Sequence, residues 1–299
     1  MYRLRLAPLI AALAGLVSLA FPAVTASAGT SAQQTGPTLV SIRAAHHPGY
    51  DRLVFEFRGG LPAQRGAQYV SRVIADPSGK LVPVAGSAKL LVRFFGAAGH
   101  DAQGRITYGP ASRTYALPGL IQVVNAGDFE AVLRFGVGVA RREPIHLFTL
   151  TRPSRVVIDV RTPYRTVQVR DYLMDSRRFA SGHAPFTRPV LRPVLPPAVA
   201  FGALQRLFAG PTQAERARGL RFVASKAAGF AHLTIRDRVA RVQLTGGCSS
   251  GGSTFTVAQE ITPTLKQFPS VRWVKIYDPA GHTERPAGHT NSIPQCLEP

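Results

Sequence analysis

Four acidic residues, Asp51, Asp128, Glu130 and Asp159, are the side chains that could divide the work of a hydrolase. Glycosidic cleavage by a carboxylate pair needs one acid to protonate the leaving oxygen and a second close by as base or nucleophile. Each of the four instead neighbours an arginine (Arg52, Arg134, Arg155 or Arg161), which points to solvated faces or salt bridges. Cys248 could act as a nucleophile beside His282 or His289, but only as a reduced thiol. The stretch Gly246-Gly247-Cys248-Ser249-Ser250-Gly251-Gly252-Ser253-Thr254 precedes a helical pattern. Free N–H groups and the helix dipole can hold a phosphate or carboxylate in such a place. Gly247, Ser249, Ser250, Gly251, Gly252 and Ser253 would line that anion-binding loop, or form a flexible connection stapled by Cys248. It lacks the Lys-Ser/Thr of a P-loop and the strand–turn–helix setting of a nucleophile elbow. His282, Glu284 and His289 match no zinc spacing, and Pro286 and Gly288 mark a loop around them. His46-His47, before Pro48-Gly49, reads as a turn with two solvent histidines. No catalytic residue, metal site or cofactor follows from these patterns.

The compartment is written at the N-terminus. Arg3 and Arg5 form a basic region, Leu6 to Val24 is apolar, and Ala26-Ser27-Ala28 supplies a signal-peptidase site before Gly29. Residues 1–28 therefore read as a cleaved export signal and 29–37 as a linker. Pro22 and the small residues favour cleavage over an uncleaved membrane anchor. Two cysteines, Cys248 and Cys296, in an exported chain read as one disulfide. Closing that loop stabilises the fold by roughly 4 kcal/mol in the chain-entropy model.

The net charge is +20, or +18 without Arg3 and Arg5, and only five of the basic residues are lysine. A GC-rich genome alone would give an arginine-heavy composition. The functional reading is attraction to anionic surfaces, such as phospholipid headgroups or wall polymers. The export signal argues against nucleic acid, as does a scatter of basic residues with no aromatic-interleaved stripe.

From Leu39 to Val160 the pattern has period two. Leu53, Phe55 and Phe57 alternate with Glu56, and Gly59-Gly60 with Pro62 breaks the strand. Tyr69–Ile74, Leu90–Phe94, Gln122–Val124, Ala131–Val137, His146–Leu150 and Val156–Val160 read as further strands. Short strands with no long amphipathic helix between them predict an all-β sandwich. Val167–Met174 is one more strand, and the Pro-rich run Arg188–Val194 must be an edge or connector. Ala200, Leu204, Leu207 and Phe208 form a helical stripe ended by Gly210-Pro211. Thr212 and Glu215 have capping-box spacing. A hairpin follows, with Leu233, Ile235, Val242 and Leu244 as core candidates. Next comes a helix capped by Ser253 or Thr254, burying Val257, Ile261, Leu265 and Phe268 and kinked at Pro263. Arg272–Tyr277 is the closing strand, its odd positions on one face; the sequence leaves open whether Trp273 and Tyr277 are exposed, with core packing the default. The helix–strand–strand–helix–strand order predicts an α+β layer of two helices on three strands.

Tyr50–Phe57, Gly127–Glu130, Phe135–Gly138 and Arg155–Val160 resemble the AMIN-like domain of exported actinobacterial proteins over residues 38–162. The related AMIN domains anchor amidases and secretins to the envelope, so the resemblance implies wall binding. Residues 163–299 resemble the GerMN domain of sporulation and germination proteins. Leu204–Thr212, Glu215, Gly219-Leu220, Val239–Val242 and Ile261–Phe268 carry that likeness, with the ending Ser292–Pro299. It implies a non-catalytic envelope module, related to those that build ring assemblies, and Pro263 departs from the usual pattern. The expectation is a two-domain extracytoplasmic protein that binds peptidoglycan, an anionic wall polymer or an envelope protein partner. Alternatives are a wall-modifying hydrolase with a cleft between domains and a subunit of an oligomeric ring.

Overall fold

The computed structural model describes residues 36–299, so the export-signal reading lies outside the described residues. Nine strands make the first lobe: β1 (Thr38–His47), β2 (Tyr50–Arg58), β3 (Gln64–Val70), β4 (Ala88–Phe95), β5 (Ser112–Thr114), β6 (Leu120–Phe129), β7 (Val132–Val139), β8 (Ile145–Thr151) and β9 (Ser154–Arg161). They form two antiparallel sheets, ordered β1-β2-β9-β8 and β3-β4-β7-β6-β5. Period-two alternation sends Leu53, Phe55 and Phe57 of β2 into a shared core with Phe94 and Phe135. The Phe55 ring meets those of Phe94 and Phe135 at 4.9 and 5.3 Å, within the range where aromatic pairs attract. The strand expected over Tyr69–Ile74 stops at Val70, because Val70 pairs with Lys89 near the start of β4 and no partner strand reaches further.

The second lobe follows with β10 (Val167–Asp175), α1 (Ser176–Ala180), β11 (Thr187–Val194), α2 (Val199–Ala209), α3 (Gln213–Ala217), β12 (Leu220–Arg221), β13 (Gly229–Arg236), β14 (Val239–Thr245), α4 (Ala258–Lys266) and β15 (Trp273–Tyr277). One small sheet runs β11-β10-β12, with the proline-bearing β11 at its edge, where a missing N–H costs nothing. The other runs β13-β14-β15, the first pair antiparallel and the second parallel. Leu204 and Leu207 of α2 and Ile261 and Leu265 of α4 pack on Val242, Leu244, Val274 and Ile276 in a second core. Both lobes belong to one compact unit.

Local signals set the helix ends. Gly210 takes φ +76° at the end of α2, and Thr212 and Glu215 bond reciprocally at 3.3 and 2.8 Å to start α3. The cap expected at Ser253 or Thr254 is not used. The helix begins at Ala258, where Gln259 Oε1 accepts from both the backbone N–H and the hydroxyl of Thr256. Along its polar face, Glu260, Thr264 and Gln267 accept the N–H groups of Met174, Tyr172 and Arg170 at 2.9, 3.1 and 2.8 Å. Their spacing up the helix, about 4.5–6 Å, comes close to the two-residue repeat of β10, about 6.7 Å. Side chains of a helix thus stand in for a neighbouring strand. The core expectation for Trp273 is overturned. Val274 and Ile276 face the core, so Trp273, Lys275 and Tyr277 lie on the outer face under the C-terminal loop.

Candidate functional site

Asp51 points inward from β2 and is buried. Its Oδ2 accepts the N–H groups of Gly119 and Leu120 at 2.6 and 2.8 Å, and Nδ1 of His46 lies 2.7 Å from Oδ1. From α2, buried Arg206 donates to the carbonyls of Pro118, Tyr115 and Leu120 at 3.0, 3.2 and 3.4 Å. The turn 115–120 is therefore held by its N–H groups from the first lobe and by its carbonyls from the second. Asp51 is not on a solvated face, and His46 is not a plain solvent histidine. Odd positions of β2 belong to the core, so the carboxylate had to find backbone donors.

The remaining acids are also spent locally. Arg52 donates from Nε and Nη2 to the two oxygens of Asp159, both at 2.8 Å. Asp128 accepts from the Gly99 N–H at 2.8 Å, and burial raises its pKa. Arg134 pairs with Asp76 at 2.8 Å instead of with Asp128. Glu130 is exposed in the β6–β7 turn. Between the lobes lies a cleft of about 430 Å³, walled by Pro83, Lys89 and Gln122 on one side and by Phe201, Phe208 and Phe230 on the other. Its lining contains no Asp, Glu, His, Ser, Thr or Cys. Such a cleft can shelter an apolar group but offers no acid–base pair. Behind it, Arg192 clamps Glu215 in a buried two-bond pair at 2.6 and 2.7 Å. Asp171, 4.0 Å from Arg192 Nε, receives no hydrogen bond among the described residues, and burial drives its pKa well above the usual carboxylate range.

Cys248 and Cys296 form the expected disulfide, with their Cα atoms 5.7 Å apart. The loop between β14 and α4 is bonded largely to itself and to the chain end. The N–H groups of Ser249 and Ser250 reach the carbonyls of Ser225 and Cys296, and that of Ser253 reaches Ser250. Those of Gly251 and Gly252 are taken by the hydroxyls of Ser249 and Ser250, both at 3.2 Å. Five of the six N–H groups expected to form an anion cradle are thus engaged, leaving Gly247 with no bonded N–H among the described residues. The helix starts four residues beyond Thr254. His282 turns to Asp278 at 3.4 Å, His289 packs on Trp273, and the Glu284 N–H bonds Ile293. The three do not converge, and no group of three metal-ligand residues exists among the described residues.

What the sequence did not single out is the outer face of the first sheet. Strand register sets Tyr50, Arg52 and Val54 of β2 beside Arg161, Asp159 and Val157 of β9, and the last two beside His146 and Phe148 of β8. There, planar groups stand in a row. His47 stacks on Tyr50 with centroids 4.9 Å apart, and the Arg52 guanidinium lies 5.1 Å from the Tyr50 ring and 5.2 Å from the Phe148 ring. Phe148 in turn stacks on His146 at 5.2 Å. Cation–π contacts and the Asp159 clamp fix Arg52, leaving its Nη1 and the Tyr50 hydroxyl without protein partners among the described residues. Side chains already locked lose little entropy on binding. Alternation in β2 could have put Tyr50 and Arg52 on one surface, but Phe148 joins them only through the register of two further strands.

Residues 37–162 match the AMIN-like domain family. No curated protein matches this chain.

Proposed function

We propose that this chain is an extracytoplasmic protein that holds on to the cell envelope without catalysing a reaction, its first lobe binding peptidoglycan through the outer face of the β1-β2-β9-β8 sheet. The observation that carries the reading is the match of residues 37–162 to the AMIN-like domain, which is associated with envelope and peptidoglycan binding. The Tyr50–Arg52–Phe148 row supports it, as a rigid surface with unspent donors for sugar hydroxyls and amides. The Cys248–Cys296 bond suits an oxidising compartment, as does an export segment at residues 1–28. The order α2, β13, β14, α4, β15 supports a GerMN module over residues 163–299. A wall hydrolase working between the lobes loses support, because the cleft carries no carboxylate or histidine.

The test is co-sedimentation of residues 29–299 with peptidoglycan sacculi stripped of anionic polymers, at low salt and at about 1 M salt, where the Debye length is about 3 Å. Retention at both salts is expected, with a loss of about tenfold in the Tyr50→Ala/Phe148→Ala double variant. No sedimentation, or sedimentation abolished by salt and indifferent to the double variant, would overturn the reading.

A further inference from the structure

The basic residues that look scattered in sequence are gathered by the last sheet. On its outer face, Arg241 of β14 sits in register with Thr234 of β13 and with Lys275 of β15. The β13–β14 turn leans on the start of β15, because the Arg238 carbonyl accepts the N–H groups of Arg272 and Trp273 at 2.8 and 3.1 Å. That contact collects Arg236, Arg238 and Arg272 at one end of the sheet. Lys275 is buried and donates to the carbonyls of Arg285 and Ala287, which draws Arg285 across the same face.

None of the five guanidinium groups, Arg236, Arg238, Arg241, Arg272 and Arg285, donates a hydrogen bond or enters an ion pair among the described residues. Asp237 and Glu284 are the nearest acids in sequence and neutralise none of them, while Asp278 is engaged by His282. Placing Arg241 directly opposite Lys275 is unfavourable by itself, since like charges facing across a sheet destabilise the pair. Lys275 is moreover a buried ammonium held by carbonyls alone. Burial, with Arg241 and Arg285 adding to it, lowers its pKa. The fold bears this repulsion without an internal counter-charge, as a surface does when the counter-charge arrives with a ligand.

We propose that this face of the β13-β14-β15 sheet binds an extended phosphodiester polymer of the envelope, its phosphates bridging Arg236, Arg238, Arg241, Arg272 and Arg285. Guanidinium forks suit phosphate oxygens, and the five arginines come from two neighbouring strands, the turn between them, the residue before β15 and the C-terminal loop, so an extended chain could lay successive phosphates across them. Nucleic acid fits less well. Trp273, the face's aromatic platform, already contacts Arg272 and His289, each 4.9 Å from its ring, so a base would have to compete with them for the indole. The inference stands on the last sheet and is independent of peptidoglycan binding by the first lobe; only the envelope as the polymer's source rests on that reading.

Trp273 is the chain's one tryptophan, so its fluorescence reports this face directly. The experiment titrates residues 29–299 with poly(glycerol phosphate) while following that signal at several salt concentrations. The wild type should bind, with affinity falling steeply as salt rises. Replacing Arg236, Arg238, Arg241 and Arg272 by Gln should weaken binding about 100-fold and flatten the salt slope by about 3. A control replacing Arg58, Arg72, Arg152 and Arg218, all exposed, removes the same net charge and should bind like wild type. Hydrogen exchange on the unmodified chain should show polymer-induced protection over 234–241 and 272–287. Equal loss in the control, or protection elsewhere, would reduce the effect to diffuse net charge and overturn the site. Equal affinity for oligothymidylate or for anionic vesicles would overturn the assignment to a phosphodiester wall polymer. Absence of binding would overturn both, and sedimentation with stripped sacculi would still report separately on the first lobe.

Discussion

The outer faces of the first and last sheets use the same residue types, arginine beside aromatic rings, and reach opposite electrostatic states. On the first, Arg43 meets Glu56 at 2.7 Å and Arg52 meets Asp159 at 2.8 Å, each strand supplying an acid where its neighbour supplies a base. On the last, Arg241 faces Lys275 and the remaining arginines pair with no acid among the described residues. Buried acids do not divide so cleanly. Asp51 of the first lobe is met by two backbone N–H groups and a histidine, and Glu215 of the second by Arg192. Asp171 and Glu260 of the second lobe are pushed towards their neutral forms by burial, Glu260 despite two backbone N–H groups. Local compensation makes a surface that sticks by shape and is indifferent to salt. Withheld compensation makes one that waits for an anion and strains its own lobe meanwhile.

If the second lobe carries that strain, its covalent tie should matter most. Cys248→Ser/Cys296→Ser removes a cross-link spanning 48 residues. The expected loss is roughly 4 kcal/mol in the chain-entropy model, the largest effect anticipated here. Hydrogen exchange should show residues 229–299 opening first while 38–162 keep the protection of the Phe55–Phe94–Phe135 core. Uniform loss across both lobes would erase the contrast and make the unit cooperative throughout.

Titration offers a second, smaller test. Burial raises the Glu260 pKa to about 8, far above about 4.3 for an unfolded glutamate. Between those values the folded chain keeps a proton that the unfolded chain has released. The Glu260 contribution to stability is therefore fully present below about pH 4.3 and falls as pH rises towards 8, by up to about 1.4 kcal/mol per pH unit. Asp171, raised in the same direction, adds to the slope. Glu260→Gln should flatten most of that slope in urea titrations from pH 5 to 8. It should also lower stability by about 1–3 kcal/mol, because the amide group opposes one of the N–H donors of Met174 and Val223. A wild-type slope of opposite sign would mean that both carboxyls stay ionised.

How far the sequence carried these conclusions depended on the range of each signal. Period-two alternation located the strands of the first lobe because one face of each is buried, and Cys248 with Cys296 needed only counting. The Thr212–Glu215 box was legible because it closes within four residues. Asp51 was misread because its donors lie 68 and 69 residues away, and the Tyr50–Arg52–Phe148 row because it spans two strand registers. Trp273 was a misjudgement the sequence could have corrected. Lys275 shares its face, and a lysine at the middle odd position of a five-residue strand argues that the even positions are the core. The α4 start was obscured because Ser253 and Thr254 look like caps, whereas the helix begins after Val257 with no side-chain cap.

The smallest effect gives the closest comparison, because the two lobes contain matched turns. The β6–β7 and β13–β14 hairpins each close on two non-glycine residues with positive φ: Glu130 and Ala131 at 50° and 57°, Asp237 and Arg238 at 50° and 60°. Glycine takes that conformation without the clash a Cβ meets, so Ala131→Gly and Arg238→Gly should each raise stability, by about 0.5–1 kcal/mol after the added freedom of the unfolded chain is counted. In the first lobe that gain should come alone, with binding to peptidoglycan and to poly(glycerol phosphate) unchanged. In the last it should come with a several-fold loss of polymer affinity, because the strained residue is also a phosphate contact. Equal gains with no change in affinity at Arg238 would mean that its left-handed backbone serves the turn alone, and the contrast between the two faces would then rest on Arg241 and Lys275.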